Sequence, residues 1–290
     1  GALNETLEVI SVRMSTWLDN VNQYVNKSGT ATMWLPNHDR FYVFEEMSTC
    51  GDIVCVGGPC RADTSKITCG LSQLNGTAAG TVLGLKKNSN NKCIVYSIGG
   101  NNMWGFERSI LEKTPCEVHT FDCTGDISRF KVPDDNRLMF HHICIGAKAQ
   151  AVDTANVFND KGTCKGLLKC GDTMTLLGMQ QMLGHTGIDL LKMDVEGFEW
   201  GLFESWPVLS SPLARYFQLP MQILVEVHYK TQFPELQTSV TGPFPKSPID
   251  LVNLQVHLLR MGYAVVIRDD NMACPHCTEL TLLRIKCHDK

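Results

Sequence analysis

From Cys93 onward, short apolar runs rich in β-branched residues alternate with segments of helical spacing. The apolar runs occupy residues 93–98, 117–122, 138–145, 188–194, 222–228, 263–268 and 279–286. Helices are predicted between several of them, including one over 173–183 and one that begins at Ser247-Pro248. Strands that alternate with helices form parallel sheets. The pattern therefore predicts an α/β fold with a mostly parallel sheet and an antiparallel last strand.

The first 92 residues have a different composition. Apolar residues recur at helical spacing over residues 3–26, which predicts an amphipathic helix. Residues 46–92 are rich in Cys, Gly, Ser, Asn and Thr, which predicts a loop-rich lead-in that disulfides hold in place. We therefore divide the chain into an N-terminal helical and disulfide-rich extension, residues 1–92, and an α/β domain, residues 93–290.

Thirteen cysteines are an unusual number for 290 residues. Their spacings form no paired CxxC zinc pattern, and Cys274-Pro-His-Cys277 is the one CxxC in the sequence. Because that tetrapeptide precedes a strand rather than a helix, we expect a structural disulfide there. Glycosylation sequons begin at Asn4, Asn26 and Asn75. Cysteines and sequons together favour a secretory compartment, either the Golgi lumen or the extracellular space.

Charge and hydropathy argue against two kinds of partner. The formal net charge is −4 and the basic residues form no run, so the basic footprint of a nucleic-acid-binding protein is missing. No segment reaches the roughly 18 uninterrupted apolar residues of a membrane span. We therefore expect no nucleic-acid partner, and a membrane anchor would have to lie outside this chain.

Polar residues stand at the carboxyl ends of four predicted strands, the edge at which open parallel sheets bind ligands. In chain order they are Ser97, Gly99, Gly100 and Asn101 on the first strand and its turn, Asp122 on the second, Asp194 and Glu196 on the fourth, and Glu226 and His228 on the fifth. Glu226 and His228 are two residues apart, so they share one face of their strand. We expect the four strand ends to form one site.

The Gly99-Gly100 turn lacks the phosphate-binding patterns, because neither GxGxxG nor GxxxxGK[ST] follows the first strand. Two glycines still allow a ligand to approach the backbone closely. Asp122 follows them by about 20 residues, the interval at which an acid meets a ribose in dinucleotide folds. The turn therefore suits a nucleoside without phosphate, such as S-adenosylmethionine. The alternative is that the glycines only turn the chain.

Several longer segments resemble known methyltransferases. IDLLKMDVEGFEWGLFESW, residues 188–206, resembles the signature strand and helix of FkbM-like methyltransferases. Residues 93–124, which contain CIVYSIGG and EVHTFD, resemble the donor-binding region of a eukaryotic, secretory-pathway branch of that family. QILVEVH at 222–228 and HCTELTLLRI at 276–285 resemble the same branch. The resemblance covers roughly 93–286 and implies a Rossmann-like class I methyltransferase sheet.

The resemblance also implies an S-adenosylmethionine-dependent enzyme that methylates oxygen. Matched residue by residue, Gly99 and Gly100 would approach the methionine part of the donor, and Asp122 would hold the ribose hydroxyls. Asp194 would lie near the methyl group, and Glu196 would begin the next helix. The competing structural interpretation is that Asp194 only caps that helix and Glu196 lies in its first turn.

One donor contact departs from the family pattern. Many class I methyltransferases have an acid where Ser97 stands in this chain. Glu107, at the start of the following helix, is the residue that could compensate. Asn101 completes the predicted donor-binding set.

Methyl transfer to a hydroxyl needs in-line alignment and a base that removes the proton. His228 is the first candidate for the base, since its unperturbed pKa is about 6.5, and Asp194 is the second. Glu226 completes the predicted catalytic set. Alternatively, Asp194, Glu226 and His228 hold a divalent metal that binds the acceptor oxygen. We favour the base, and predict no metal.

These features predict an S-adenosylmethionine-dependent O-methyltransferase that acts on a sugar hydroxyl of a glycan in the secretory pathway. The acceptor is inferred from the compartment alone. One alternative is an enzyme that methylates a small metabolite or a protein side chain. Another is a non-catalytic secreted module that keeps the fold for binding, for which the Ser97 position is the main support.

Overall fold

Strands and helices alternate over most of the described chain. The computed structural model describes residues 6–28, 38–62, 64–75, 93–147, 150–151, 172–215, 218–230, 244–270 and 274–285. Its α-helices are α1 (Leu7–Ser28), α2 (Gly105–Lys113), α3 (Leu176–Leu183), α4 (Glu199–Ser205) and α5 (Pro248–Arg260). Its strands are β1 (Ile53–Val56), β2 (Lys66–Cys69), β3 (Ile94–Ile98), β4 (Glu117–Phe121), β5 (Leu138–His141), β6 (Cys144–Ile145), β7 (Gln150–Ala151), β8 (Asp172–Met174), β9 (Leu190–Met193), β10 (Gln222–His228), β11 (Tyr263–Asp270) and β12 (Cys277–Arg284).

Seven strands form the central sheet, in the order β11-β12-β10-β9-β3-β4-β5. The neighbours from β10 to β5 are parallel, and β12 is antiparallel to both β10 and β11. This confirms the predicted mostly parallel, Rossmann-like sheet with an antiparallel last strand. The chain leaves β3 toward β4 and later returns to its other side as β9. The topological switch point, where such sheets bind ligands, therefore lies between β3 and β9.

The middle of the sheet is buried on both faces. Every residue of β3, β9 and β10 is buried, which explains why continuous apolar runs mark these strands in the sequence. Tyr96, Leu191 and Trp200 belong to the core on one face. Ile110 and Leu224 belong to the core on the other. Each fully buried side chain of this kind stabilises the fold by roughly 1.5–3 kcal/mol.

Local signals located α5 accurately. Ser247 is its N-cap, Pro248 is its first residue, and the Asp250 carboxylate accepts the Ser247 N–H at 2.7 Å to complete a capping box. Such caps contribute about 1 kcal/mol. Because the capping residues can be read in the sequence, the start of this helix could be predicted.

Two predicted elements are wrong in part. The run 138–145 is not one strand, because the Ile143 N–H turns back to the His141 carbonyl at 2.9 Å and ends β5 there. β6 then joins a separate three-stranded sheet with β8 and β7. The predicted helix 173–183 begins later, as α3, because Thr175 caps it through its hydroxyl and the Gly178 N–H at 3.0 Å.

Helix α1 confirms the predicted amphipathic helix. Its residues Ile10 and Met14 are buried beside Leu259 and Leu283, so its apolar stripe packs against α5 and β12. Neither α1 nor any other helix in the described ranges is long and apolar enough to cross a membrane.

Disulfides hold the lead-in as predicted. Cys50–Cys69 and Cys55–Cys60 staple the antiparallel β1-β2 hairpin. The other disulfides within the described residues are Cys93–Cys116, Cys123–Cys144 and Cys274–Cys277. Three cysteines and the three sequons lie outside the part whose side chains are described: Cys164, Cys170 and Cys287, and Asn4, Asn26 and Asn75.

The first prediction concerns these disulfides. Alkylation of the denatured but unreduced protein is expected to label no more than three cysteines, because five disulfides use the others. Intact-mass spectrometry counts the labels, and the same sample after reduction serves as the control. Labelling of nearly every cysteine before reduction would contradict the disulfides and the secretory compartment together.

Candidate functional site

The turn after β3 is organised by Asp122. Its Oδ2 accepts the N–H groups of Gly100 at 3.0 Å and Asn101 at 2.6 Å, and its Oδ1 accepts the N–H of Thr124 at 2.7 Å. The Asn101 side chain also accepts a hydrogen bond from Arg129 at 2.5 Å. Asp122 therefore fixes the shape of the glycine turn, a role that the sequence did not indicate.

Gly99 brings this turn into contact with the end of β9. A Cβ built at Gly99 would lie 1.8 Å from the Asp194 carbonyl oxygen, and the φ of Gly99 is +74°. Only glycine satisfies both conditions. The contact places the predicted donor turn directly beside Asp194, at the switch point of the sheet.

Ser97 and Glu107 lie beneath the turn and are both buried. One oxygen of Glu107 accepts the Thr120 hydroxyl at 3.3 Å and lies 3.7 Å from a Cβ built at Gly100. Within the described residues, the Ser97 hydroxyl and the second Glu107 oxygen have no hydrogen-bond partner. Burying such a group without a partner costs about 1–3 kcal/mol, so these two atoms are suited to a polar ligand.

The acids and the histidine of β9 and β10 meet at the same edge. His228 Nε2 lies 3.9 Å from Glu226 Oε2 and 3.5 Å from Glu196 Oε2. Asp194 shares a hydrogen bond with Glu226. The structure therefore brings together all four of these predicted site residues.

Lys66 of β2 is a member of this cluster that the sequence did not reveal. Its Nζ lies 3.4 Å from Asp194 Oδ2 and 4.0 Å from Glu226 Oε2, and it forms a closer ion pair with Glu279. The Lys66 side chain is only 3% exposed. Burial opposes its charge, but the carboxylates of Asp194, Glu279 and Glu226 outweigh burial and raise the pKa of Lys66. The disulfide-held hairpin thus supplies a permanent positive charge to the site.

Glu199 is the second residue that the sequence missed. Its carboxylate accepts the N–H groups of His228 at 2.7 Å and Gly197 at 2.8 Å, and it lies 3.3 Å from His228 Nδ1. Burial disfavours the imidazolium, but the charges of Glu199, Glu226 and Asp194 overcome it and raise the pKa of His228 to about 10. His228 is therefore protonated at neutral pH.

The neighbouring carboxyl groups of Asp194 and Glu226 differ in their tendency to ionise. Burial acts against ionisation of Asp194, but Lys66, Lys192 and His228 hold its pKa below the ordinary value. Burial and the Asp194 charge raise the pKa of Glu226. Asp194 is therefore the ionised partner, and its side chain is 24% exposed against 9% for Glu226.

The helix-cap interpretation of the two acids is wrong. Helix α4 begins at Glu199, and its N-cap residue, Phe198, makes no side-chain cap. Glu196 has a φ of +55°, in the left-handed region, so it lies in a turn rather than at the start of the helix. The strained turn instead directs Glu196 toward His228.

Comparison with known proteins identifies a family. The model of a protein family described as a methyltransferase domain matches residues 4–284 of this chain. Among solved structures, the fibrillarin/Nop5p complex is 9% identical, over 67% of this chain and 73% of that one, with a TM-score of 0.34. No curated protein matches this chain.

Two further solved structures show similarly distant likeness. A 16S rRNA (adenine(1408)-N(1))-methyltransferase variant from Catenulisporales acidiphilia is 10% identical, over 82% of this chain and 99% of that one, with a TM-score of 0.34. The mitomycin 7-O-methyltransferase MmcR is 14% identical, over 74% and 53%, with a TM-score of 0.30.

Proposed function

We propose that this chain, which belongs to the methyltransferase-domain family, is an S-adenosylmethionine-dependent O-methyltransferase. Its proposed acceptor is a sugar hydroxyl of a glycan in the secretory pathway. The observation that carries the proposal is the contact between Gly99 and the Asp194 backbone. A donor in the glycine turn and an acceptor above the Asp194 carboxylate would be neighbours.

The residues around the turn fit the donor. Gly99 and Gly100 allow close approach of a ligand, and Ser97 and Glu107 offer the buried polar atoms described above. Asp122 already accepts three backbone N–H groups, which leaves about one of its four acceptor sites for a ribose hydroxyl. When bound, S-adenosylmethionine supplies a sulfonium methyl, whose transfer forms a carbon–oxygen bond, breaks the carbon–sulfur bond and releases the hydroxyl proton.

Asp194 is better suited than His228 to accept that proton. Asp194 is ionised and partly exposed, whereas the His228 side chain is 2% exposed and already carries its proton. We therefore assign the base to Asp194, the second choice from the sequence. His228 becomes a positioning residue that holds Glu196, Glu199 and Glu226 together at this edge of the sheet.

Charge balance also bears on the metal alternative. Lys66 places a positive charge within 4.0 Å of both Asp194 and Glu226. Ligand atoms of Asp194, Glu196 and His228 do lie within 4.8 Å of one another. Because Lys66 already neutralises Asp194, the proposal needs no divalent cation there. Added chelator is expected to leave turnover unchanged.

The proposed acceptor class is supported by the disulfides and by the charge of Asp194. The ionised Asp194 carboxylate would accept a hydrogen bond from a neutral hydroxyl. The direct test is incubation of the purified chain with methyl-labelled donor and separate glycan, metabolite and protein pools. Label in the glycan fraction supports the proposal. Label only in metabolites or proteins would replace the acceptor, and absence of donor binding by calorimetry would indicate a non-catalytic module.

Asp122→Ala provides a second test, of the donor site alone. Its affinity for S-adenosylhomocysteine is expected to fall at least tenfold, because each charge-assisted hydrogen bond to the turn contributes about 1.5–3 kcal/mol and a factor of ten is about 1.4 kcal/mol. Isothermal titration calorimetry measures the change. Asp126→Ala is the matched control, since Asp126 is a carboxylate on the same loop that accepts the N–H of Ser128 at 2.9 Å. Equal affinities of the two variants would contradict the donor assignment.

A further inference from the structure

A second cluster of ionisable side chains lies on the other half of the sheet. Glu117 and His119 share one face of β4, at its start rather than at its ligand-binding end. His185 joins them from the turn after α3. The side chains of Glu117, His119 and His185 are 26%, 4% and 12% exposed. The cluster is therefore enclosed but reachable from solvent.

The spacing of these atoms matches that of zinc ligands. Glu117 Oε1 lies 2.9 Å from His119 Nε2 and 3.9 Å from His185 Nε2. Ligand atoms of the three residues all lie within 4.8 Å of one another. Zinc bonds of about 2.0–2.2 Å at tetrahedral angles separate ligand atoms by roughly 3.3 Å. The two measured distances bracket that value.

Both imidazoles are also held by their other nitrogen. His119 Nδ1 lies 3.0 Å from His141 Nε2, and His185 Nδ1 lies 2.8 Å from the Tyr96 hydroxyl. A cation on the two Nε2 atoms would leave each Nδ1–H as a donor, to His141 and to Tyr96. Metal-binding histidines are almost always oriented by such an outer hydrogen bond, which fixes tautomer and ring direction. This arrangement is independent of the ligand spacing and points to the same conclusion.

We propose that Glu117, His119 and His185 form a zinc site, with His141 and Tyr96 as positioning residues. Two imidazoles and one carboxylate are a ligand set that zinc accepts in proteins, with a fourth position left for water. The site lies at the opposite end of β4 from the donor turn, so it does not rest on the proposed methyl transfer. Its ligands join β4 to the segment after α3, and bound zinc would therefore stabilise that face of the sheet.

The test titrates Zn²⁺ into the purified, disulfide-intact chain against a chromophoric chelator. One bound equivalent and a raised melting temperature are expected. Co²⁺ as a spectroscopic substitute is expected to give tetrahedral ligand-field bands without a thiolate charge-transfer band. Cys274 and Cys277 offer no thiolate in this sample because they form a disulfide, so the variants below, rather than the spectrum, separate this site from the neighbourhood of Glu226 and His228.

Variants locate the ion. His185→Gln and Glu117→Gln are expected to lower Zn²⁺ affinity at least about 100-fold, since even an outer-shell substitution typically costs about 10–100-fold. His257→Gln and Asp194→Asn are the controls, expected to remain within about twofold because neither residue belongs to the cluster. Near-ultraviolet circular dichroism checks that each variant is folded. Absence of zinc binding, or binding that Asp194→Asn abolishes and His185→Gln spares, would overturn the proposal.

Discussion

Asp194→Asn is expected to reduce methyl transfer at least about a hundredfold while its affinity for S-adenosylhomocysteine stays within about twofold, since a general base contributes 10²–10⁴ in rate. The substitution keeps the size of the side chain and the backbone carbonyl that packs against Gly99. The donor turn should therefore be unchanged. What is lost is the ionised oxygen that Lys66, Lys192 and His228 stabilise.

Two comparisons make this prediction specific. Glu204→Gln, an equivalent change on the exposed side of α4, is expected to leave turnover within about twofold, as for most surface substitutions. His228→Gln is expected to lose less activity than Asp194→Asn, because a protonated imidazole has no free lone pair with which to accept a proton. Initial rates with the active acceptor pool and calorimetry with S-adenosylhomocysteine give the two readouts. A larger loss in His228→Gln would return the base to His228, and normal turnover in Asp194→Asn would exclude Asp194.

The sheet could be predicted because its signals are local. Continuous apolar runs marked the strands that are buried on both faces, and Ser247 with Pro248 marked the start of α5. The predicted bounds of elements were wrong where an apolar pattern continues into a turn, because tertiary contacts rather than the local pattern determine where that turn lies. Ile143 to Ile145 continues the apolar run of β5, yet a backbone hydrogen bond at Ile143 ends the strand. Nothing in the run itself indicates that break.

The site could be predicted only in part, for a similar reason. Asp194, Glu226 and His228 meet because parallel strands share one edge, which follows from the alternation of strands and helices. Lys66 is 128 residues from Asp194, in a segment that predicted only disulfides. Its contact depends on how the β1-β2 hairpin packs on the sheet, which no local pattern encodes. Glu117 and His119 did carry a signal, two ligand-type side chains at strand spacing, but His185 joins them only in the folded chain.

Some predictions extend beyond what the fold and the family establish. The family match establishes a methyltransferase family, whereas the resemblance to the FkbM-like, secretory-pathway branch stays a prediction. The division at residues 92 and 93 and the secretory localisation also stay predictions. The predicted division does not separate the site, because Lys66 of the extension contacts the acidic residues of the α/β domain.

Lys66→Met is expected to destabilise the protein by about 3–5 kcal/mol, the usual cost of removing one partner from a buried ion cluster. Methionine fills most of the lysine volume, so the loss arises from charge rather than from a cavity. Without the ammonium, the ionised Asp194 loses a neighbouring positive charge, and Glu226 and Glu279 lose their contact with Lys66. Urea unfolding near pH 7 measures the loss, and Lys113→Met, at an exposed lysine on α2, is the control expected within about 0.5 kcal/mol.

The pH dependence separates this cause from a packing defect. Burial and, to a smaller extent, the Asp194 charge raise the pKa of Glu226. The same two causes raise the pKa of Glu279. Because these carboxyls hold protons in the folded state at a pH where the unfolded chain has released them, the fold gains stability relative to the unfolded chain as pH falls. Lys66→Met should raise these pKa values further, so its deficit is expected to shrink as pH falls from about 10 to about 8, below which Glu226 is protonated in both proteins. The Lys66 contribution itself stays complete over that range, since its raised pKa means that it is lost only as pH rises above the ordinary lysine value of 10.5. A deficit that is the same at both pH values would assign Lys66 to packing, and its absence would remove Lys66 from the site.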